Sequence, residues 1–150
     1  MNVGEVMTKR VSWVGPDATV REIARRMRSE DIGSMPVAED DKLVGMVTDR
    51  DIVVRGVAEE REIGRLTARE VMSSTSGAVL YCFEDESVEA VLKNMAENQV
   101  RRLPVVDRSK RLVGIVSLGD LSGAAERATG DALREIADQP DSTPGRNPAS

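Results

Sequence analysis

The chain has 150 residues, 40% of them hydrophobic and 31% charged, enough for one compact domain or two small ones around a true apolar core. Only Trp13, Tyr81 and Phe83 are aromatic, so that core has to be aliphatic, and the stacking platforms that hold single-stranded nucleic acid are missing. A formal charge of -5 repels polyanions at long range, the lone Cys82 cannot close an intramolecular disulfide, and the lack of histidine removes the commonest metal ligand and general base.

Residues 1–10 hold no positively charged region followed by an apolar run, and no apolar stretch approaches the 18 or so residues of a membrane span. The expected location is the cytoplasm, with neither membrane nor nucleic acid as a partner. Residues 11–14 predict a short strand, stopped by Gly15 and Pro16. Thr19 and Glu22 then have the spacing of a capping box, and Val20, Ile23, Ala24 and Met27 fall at i, i+3, i+4 and i+7, the stripe of a helix with one buried face. Residues 34–38 and 43–48, separated by a polar turn, predict a hairpin whose second strand is apolar almost throughout, as a strand covered on both faces should be. A short helix over 49–55 follows, with Gly56 as its expected C-terminal stop, and the polar stretch 57–66 reads as a linker.

The second half repeats this order. Val6-Met7 returns as Val71-Met72, Thr19-Val20 as Ser87-Val88, Met35-Pro36-Val37 as Leu103-Pro104-Val105, and residues 43–51 as 112–120. The helical stripe recurs at Val88, Val91, Leu92 and Met95, and Cys82 falls in the first strand of the second copy as a small apolar residue. The offset between copies grows from 65 to 68 to 69, which puts insertions ahead of the strand–helix turn and in the hairpin, where loops tolerate them. A unit of about sixty residues used twice predicts a mixed α/β (α+β) fold: two β-α-β-β-α copies about a pseudo-twofold axis, each with a small sheet packed against two helices. The expected divisions are 1–66 for the first copy and its linker, 67–128 for the second, and 129–150 for a C-terminal tail. In the tail, residues 131–138 predict an amphipathic helix through Leu133, Ile136 and Ala137, and the proline-bearing remainder predicts disorder.

The repeated signature is Gly-apolar-apolar-Thr/Ser-x-x-Asp, at Gly45 to Asp51 and at Gly114 to Asp120. Read structurally, a hydroxyl followed three residues later by a carboxylate caps a helix start. Read functionally, a carboxylate at that place can accept hydrogen bonds from the vicinal hydroxyls of a ribose. The glycine adds a constraint, because it is poor in a strand unless something approaches the backbone closely. Asp49 and Asp51, two residues apart, do not face one substrate as an acid–base pair would, and no catalytic set is visible. The chain therefore reads as a non-enzyme.

The segments Glu5-Val6-Met7-Thr8, Pro16-Asp17-Ala18-Thr19-Val20, Met35-Pro36-Val37 and Gly45-Met46-Val47-Thr48-Asp49-Arg50-Asp51, with their partners in the second half, resemble a tandem pair of CBS domains, together called a Bateman module. The likeness spans about residues 3–125 and is nearest to small stand-alone bacterial proteins. It implies a regulatory module that binds AMP, ADP, ATP or S-adenosylmethionine in two clefts, with no catalytic cofactor and no metal. Carried over by motif, Asp51 and Asp120 hold ribose hydroxyls, and Thr48 and Ser117 lie near ribose or phosphate. One cleft then combines Ser117, Asp120 and Ile115 with Ser12, Ile32 and Gly33; the other combines Thr48, Asp51 and Met46 with Leu80 and Val100. Arg101 and Arg102 stand where repeat 1 has Gly33 and Ser34, so phosphate is expected to favour the Asp120 cleft.

The resemblance also implies a homodimer, for which the small residues Gly123, Ala124 and Ala125 allow close helix approach, and a separate protein that reads the signal. The alternative is a ligand-free dimerisation module whose signatures only cap helices. CBS pairs also occur inside inosine monophosphate dehydrogenase, but its (β/α)8 barrel needs about 250 residues, and the 150 here are already used by the repeats.

Overall fold

The computed structural model describes residues 1–74 and 80–138. Helix α1 (Val20–Glu30) starts where Thr19 accepts the Glu22 N–H on its hydroxyl at 3.2 Å, and ends where Asp31 turns left-handed at φ 54°. Val20, Ile23 and Met27 are buried, whereas Ala24 is exposed, so the buried stripe is narrower than the apolar spacing predicts. A lone methyl at the edge of a stripe carries little apolar area and turns to solvent cheaply. Strands β1 (Ser34–Glu39) and β2 (Lys42–Thr48) pair antiparallel across the two-residue turn Asp40-Asp41, both at positive φ (51° and 65°), the conformation that matches the twist of a tight hairpin.

The strand expected at 11–14 reduces to Val14, which makes a parallel bridge to Val37 beside β1. Helix α2 (Asp49–Ile52) runs directly into a π-helical turn, Val53–Val57. Gly56 lies inside that turn, buried, and does not stop it. A Cβ there would stand 3.1 Å from Leu66 and 3.2 Å from Ile63, so glycine serves the packing of the linker rather than a helix end.

The second copy follows the same plan. Short helix α3 (Ala68–Val71) and strand β3 (Ser73–Ser74) precede β4 (Cys82–Phe83), α4 (Val88–Asn98), β5 (Arg102–Val106) and β6 (Leu112–Ser117). The extra hairpin residue is absorbed by Asp107, whose Oδ1 accepts the N–H groups of Ser109 and Arg111, both at 2.9 Å. Arg108 in this turn grips Asp85 through two bonds of 2.9 and 2.6 Å and lies 4.2 Å from the centre of the Phe83 ring, which fixes the turn to β4. Helix α5 (Leu118–Asp138) then continues unbroken for 21 residues, through Thr129 where the sequence pattern fades. No proline intervenes before Pro140, and the glycine at 130 costs a helix only about 1 kcal/mol. The side-chain stripe expected at Leu133, Ile136 and Ala137, and residues 139–150, lie outside what is described.

The two sheets are not made from the two repeats in order. The leading segment of repeat 2 lies on the sheet of repeat 1, where Ser73 and Ser74 pair with Met46 and Gly45 of β2, and Ala68 and Val71 complete the core of Val20, Ile23, Met35, Val37 and Val47. Reciprocally, Thr8 bridges Ile115 of β6, and Val3 enters the core of Val88, Val91, Met95, Leu103 and Val116. The matching bridges Asn2 to Ser87 and Thr19 to Thr67 anchor each head at the start of the other repeat's first helix. Where the hairpins meet, Leu43 N–H donates to Lys110 O and Leu112 N–H to Asp41 O, a reciprocal pair about the pseudo-twofold.

This exchange accounts for the signature glycine. A Cβ on Gly45 would lie 2.5 Å from the Ser73 carbonyl and 2.8 Å from Met72 Sδ; on Gly114 it would lie 2.5 Å from Met7 Sδ and 2.8 Å from the Thr8 carbonyl. What approaches the backbone is the other repeat's head.

Gly45→Ala and Gly114→Ala are each expected to lower unfolding free energy by about 1–3 kcal/mol, the range for overpacking. Gly15→Ala, with nothing within 4 Å, should change it little. A urea titration of the three variants checks this, and equal effects at all three positions would overturn it. Cys82 is 1% exposed, and burial first, then the charge of Glu86, pushes its thiol up to about 12. Native protein at pH 8.5 should therefore resist iodoacetamide until denaturant is added. Because the folded thiol holds its proton more tightly than the unfolded one, its linkage term is constant below about pH 9 and reduces stability as pH rises from there towards 12.

Candidate functional site

Each β-strand of the signature ends at a helix start, and there the hydroxyl and carboxylate close on each other. Thr48 Oγ1 accepts the Asp51 N–H at 3.0 Å, and Asp51 Oδ2 accepts the Thr48 N–H at 2.9 Å. Ser117 Oγ accepts the Asp120 N–H at 3.0 Å, and Asp120 Oδ2 accepts the Ser117 N–H at 3.4 Å. The capping reading of the motif is therefore correct in both copies. It uses one carboxylate oxygen each time. Oδ1 of Asp51 and of Asp120 has no partner among the described residues, and both carboxylates reach the surface, Asp51 half-buried and Asp120 exposed.

The start of each hairpin is tied to the same place. Asp49 N–H donates to Gly33 O at 2.9 Å, and Leu118 N–H donates to Arg101 O at 2.8 Å, so Gly33 and Arg101 are equivalent, as are Asp49 and Leu118. Ser34 lies in register with Thr48 and Arg102 with Ser117. The side chains at these equivalent places oppose each other in charge. In repeat 1 the Asp49 carboxylate lies against Gly33, with Oδ2 only 3.0 Å from where a Cβ would stand. In repeat 2 the equivalent of Asp49 is the apolar Leu118, which packs against the repeat 2 core, and neither Arg101 nor Arg102 has a side-chain partner among the described residues. Counting Arg50, charged residues 33, 34, 49 and 50 sum to zero, against +2 for 101, 102, 118 and 119.

The remaining sequence-named residues fall around these two centres. Met46 and Ile115 are the strand positions that pair with the exchanged heads, opposite Ser73 and Thr8. Ser12 donates to Glu30 Oε2 at 2.8 Å and accepts from Arg26, which places it at the end of α1. Ile32 N–H donates to Met27 O at 3.0 Å, closing the same helix just before Gly33. Leu80 and Val100 pack half-buried against the core of repeat 2. The hydrogen bonds of Ser12, Ile32 and Gly33 stay within repeat 1; among the described residues none joins them to Ser117 or Asp120.

Sequence reasoning missed four contributors. Asp49 was visible only as half of a discarded acid–base pair, and its meaning depends on its equivalence to Leu118. Thr8 and Ser73 were recorded as repeats of each other, but nothing in a linear reading says that each lies beside the other copy's strand. Arg55, whose Nη1 donates to Val71 O at 2.9 Å and Met72 O at 3.1 Å, gave no periodic signal.

A family model described as CBS domain matches residues 3–57 and 68–127. The chain is 41% identical over 142 residues, 92% of its length, to the CBS domain-containing protein YhcV of Bacillus subtilis (strain 168), and covers 96% of that protein. Its fold matches the crystal structure of CBSX2 in complex with AMP at a TM-score of 0.72 and 26% identity, over 85% of this chain and 98% of that one. It matches the CBS domain pair of protein MJ0100 in complex with 5′-methylthioadenosine and S-adenosyl-L-methionine at a TM-score of 0.69 and 27% identity, over 85% and 98% of the two chains.

Replacing a capping hydroxyl should show its structural share directly. Thr48→Ala and Ser117→Ala are each expected to cost about 1 kcal/mol of stability. Asp51→Asn and Asp120→Asn, which keep an accepting oxygen, should cost less than half of that. Denaturant midpoints of the four variants test this, and the reverse order would refute the one-oxygen division of labour.

Proposed function

Because this chain belongs to the CBS-domain family, we propose that it is a regulatory module that binds adenosine-containing ligands in two clefts, built around Thr48 and Asp51 and around Ser117 and Asp120. The observation that carries this reading is the unengaged Oδ1 of both aspartates, held in place by a closed capping box. Such a carboxylate can accept ribose hydroxyls without first breaking its own hydrogen bonds. Two solved CBS pairs of similar fold hold adenosyl compounds, one AMP and the other 5′-methylthioadenosine and S-adenosyl-L-methionine.

The charge difference divides the ligands. Arg101 and Arg102 suit a 5′-phosphate at the Asp120 cleft, since a guanidinium grips phosphate with two hydrogen bonds. Asp49 beside Gly33 opposes a phosphate at the Asp51 cleft, which suits a neutral or cationic adenosyl compound better. In this reading Ile115, Ser12 and Ile32 furnish the walls of the first cleft and Met46, Leu80 and Val100 those of the second, with Gly33, whose carbonyl accepts the Asp49 N–H, on the Asp51 side. Occupancy changes the relative stability of two arrangements of the pair, which a separate protein reads, and it does so only if the ligand prefers one of them. A cytoplasmic homodimer completes the reading; no helix among the described residues is long and apolar enough to cross a membrane.

A ligand-free dimerisation module is the second reading, favoured by the completeness of the two capping boxes. A ligand that binds only the native state must raise the melting temperature, so a panel of adenosine, AMP, ATP and S-adenosylmethionine separates the two. No shift with any of them at millimolar concentration would refute the sensor reading. Within that panel, Arg102→Ala is expected to weaken AMP and ATP binding at least tenfold and leave adenosine nearly unchanged. Calorimetric titration measures it, and equal losses for all three ligands would refute the phosphate role.

A further inference from the structure

We propose that Arg55 is a positioning residue for the Asp51 cleft, and that the π-helical turn carrying it makes the two clefts mechanically unequal; the ligand half of this inference rests on the function proposed above. In an uninterrupted α-helix Arg55 would lie one turn from Asp51, the i, i+4 spacing at which carboxylate and guanidinium pair. No ion pair joins them among the described residues. Helix α2 instead passes into the π turn after Ile52, and the guanidinium reaches across to the carbonyls of Val71 and Met72. The turn leaves Val53, Val54 and Val57 exposed, a cost that an ordinary helix end on this surface need not carry.

Two consequences follow from that one contact. The carbonyls at the end of α3 have no intrahelical partner and receive a charge-assisted donor from Arg55. This fastens the exchanged head at Met72, the residue that crosses Gly45 three positions before Thr48, and just ahead of the Ser73 and Ser74 pairing with β2. At the same time the guanidinium is withheld from Asp51, whose Oδ1 stays open.

Among the described residues repeat 2 has no such device. The position equivalent to Arg55 is Ala124, 1% exposed in the core, and no side chain among the described residues donates to the carbonyl of Val6 or Met7. The head against the Asp120 cleft is held by backbone bonds: the Thr8–Ile115 bridge, and Val3 N–H and Gly4 N–H donating to Glu86 O and Glu84 O, both at 2.9 Å. The Asp51 cleft is thus pre-ordered by a side chain, and the Asp120 cleft is not.

Site-resolved hydrogen exchange on ligand-free Arg55→Ala, Arg55→Lys and unaltered protein tests the positioning claim. Exchange at Met72 and Ser73 should accelerate at least tenfold in Arg55→Ala and by an intermediate factor in Arg55→Lys, with Thr8 unchanged. Equal acceleration at Thr8, or none at Met72, overturns it; if Arg55→Ala does not fold, the Arg55→Lys comparison decides. Adenosine, which lacks phosphate, then probes function by calorimetry. In an Asp120→Ala background Arg55→Ala should weaken it about tenfold, and in an Asp51→Ala background not at all; equal loss in both overturns the cleft-specific role. If adenosine binds in neither background, the ligand reading fails, and the exchange data alone decide whether Arg55 positions the head.

Discussion

The close crossing of each repeat's head over the other repeat's signature glycine is the constraint on which the remaining structure depends. One three-stranded sheet takes its third strand, Ser73–Ser74, from the other half, the second is bridged at Ile115 by Thr8 of the other half, and neither core is closed without Ala68 and Val71 in one case or Val3 in the other. Burying a Val side chain is worth about 1.5–3 kcal/mol, so withdrawing one head removes a substantial share of a small domain's margin. The halves are distinguishable in sequence but not separable as folding units.

That interdependence also explains which parts of the fold were legible in the chain. The duplication, both hairpins, the helix stripes and the capping residues are local patterns, and the structure places them within a residue or two. The signature glycine was legible as a demand for close approach, but not the approaching group, because Gly45 meets residues 27 and 28 positions away and Gly114 meets residues more than a hundred positions away. Gly56 and Ala24 were misread for different reasons: at Gly56 the helix-end rule was overridden by the packing of Leu66 and Ile63, and Ala24 sits at the edge of its stripe with too little apolar area to demand burial. The helix expected at 131–138 is the end of α5, and only its continuity through Thr129 was not legible, because fading periodicity signals loss of packing, not loss of helix.

The candidate site divides in the same manner. Thr48, Asp51, Ser117 and Asp120 announce themselves by repetition, and the Arg101-Arg102 contrast with Gly33-Ser34 follows once the copies are aligned. The counter-charge at Asp49 needed three dimensions, since only the matching bonds from Asp49 to Gly33 and from Leu118 to Arg101 show which side chains stand in for one another. Duplication gives two copies of a geometry, and substitution at a few flanking places gives each its own electrostatics.

The closed capping box has a consequence for how such a pair drifts over time. Because the hydroxyl and the carboxylate are both retained by the helix they start, a copy that lost its ligand would still be under selection to keep the motif. The motif is therefore a poor record of past binding. Of the flanking positions, Asp49 takes part in its own helix start, its Oδ1 accepting the Arg50 N–H at 2.8 Å, whereas the side chains at 33, 101 and 118 stand outside both boxes and can vary without opening them.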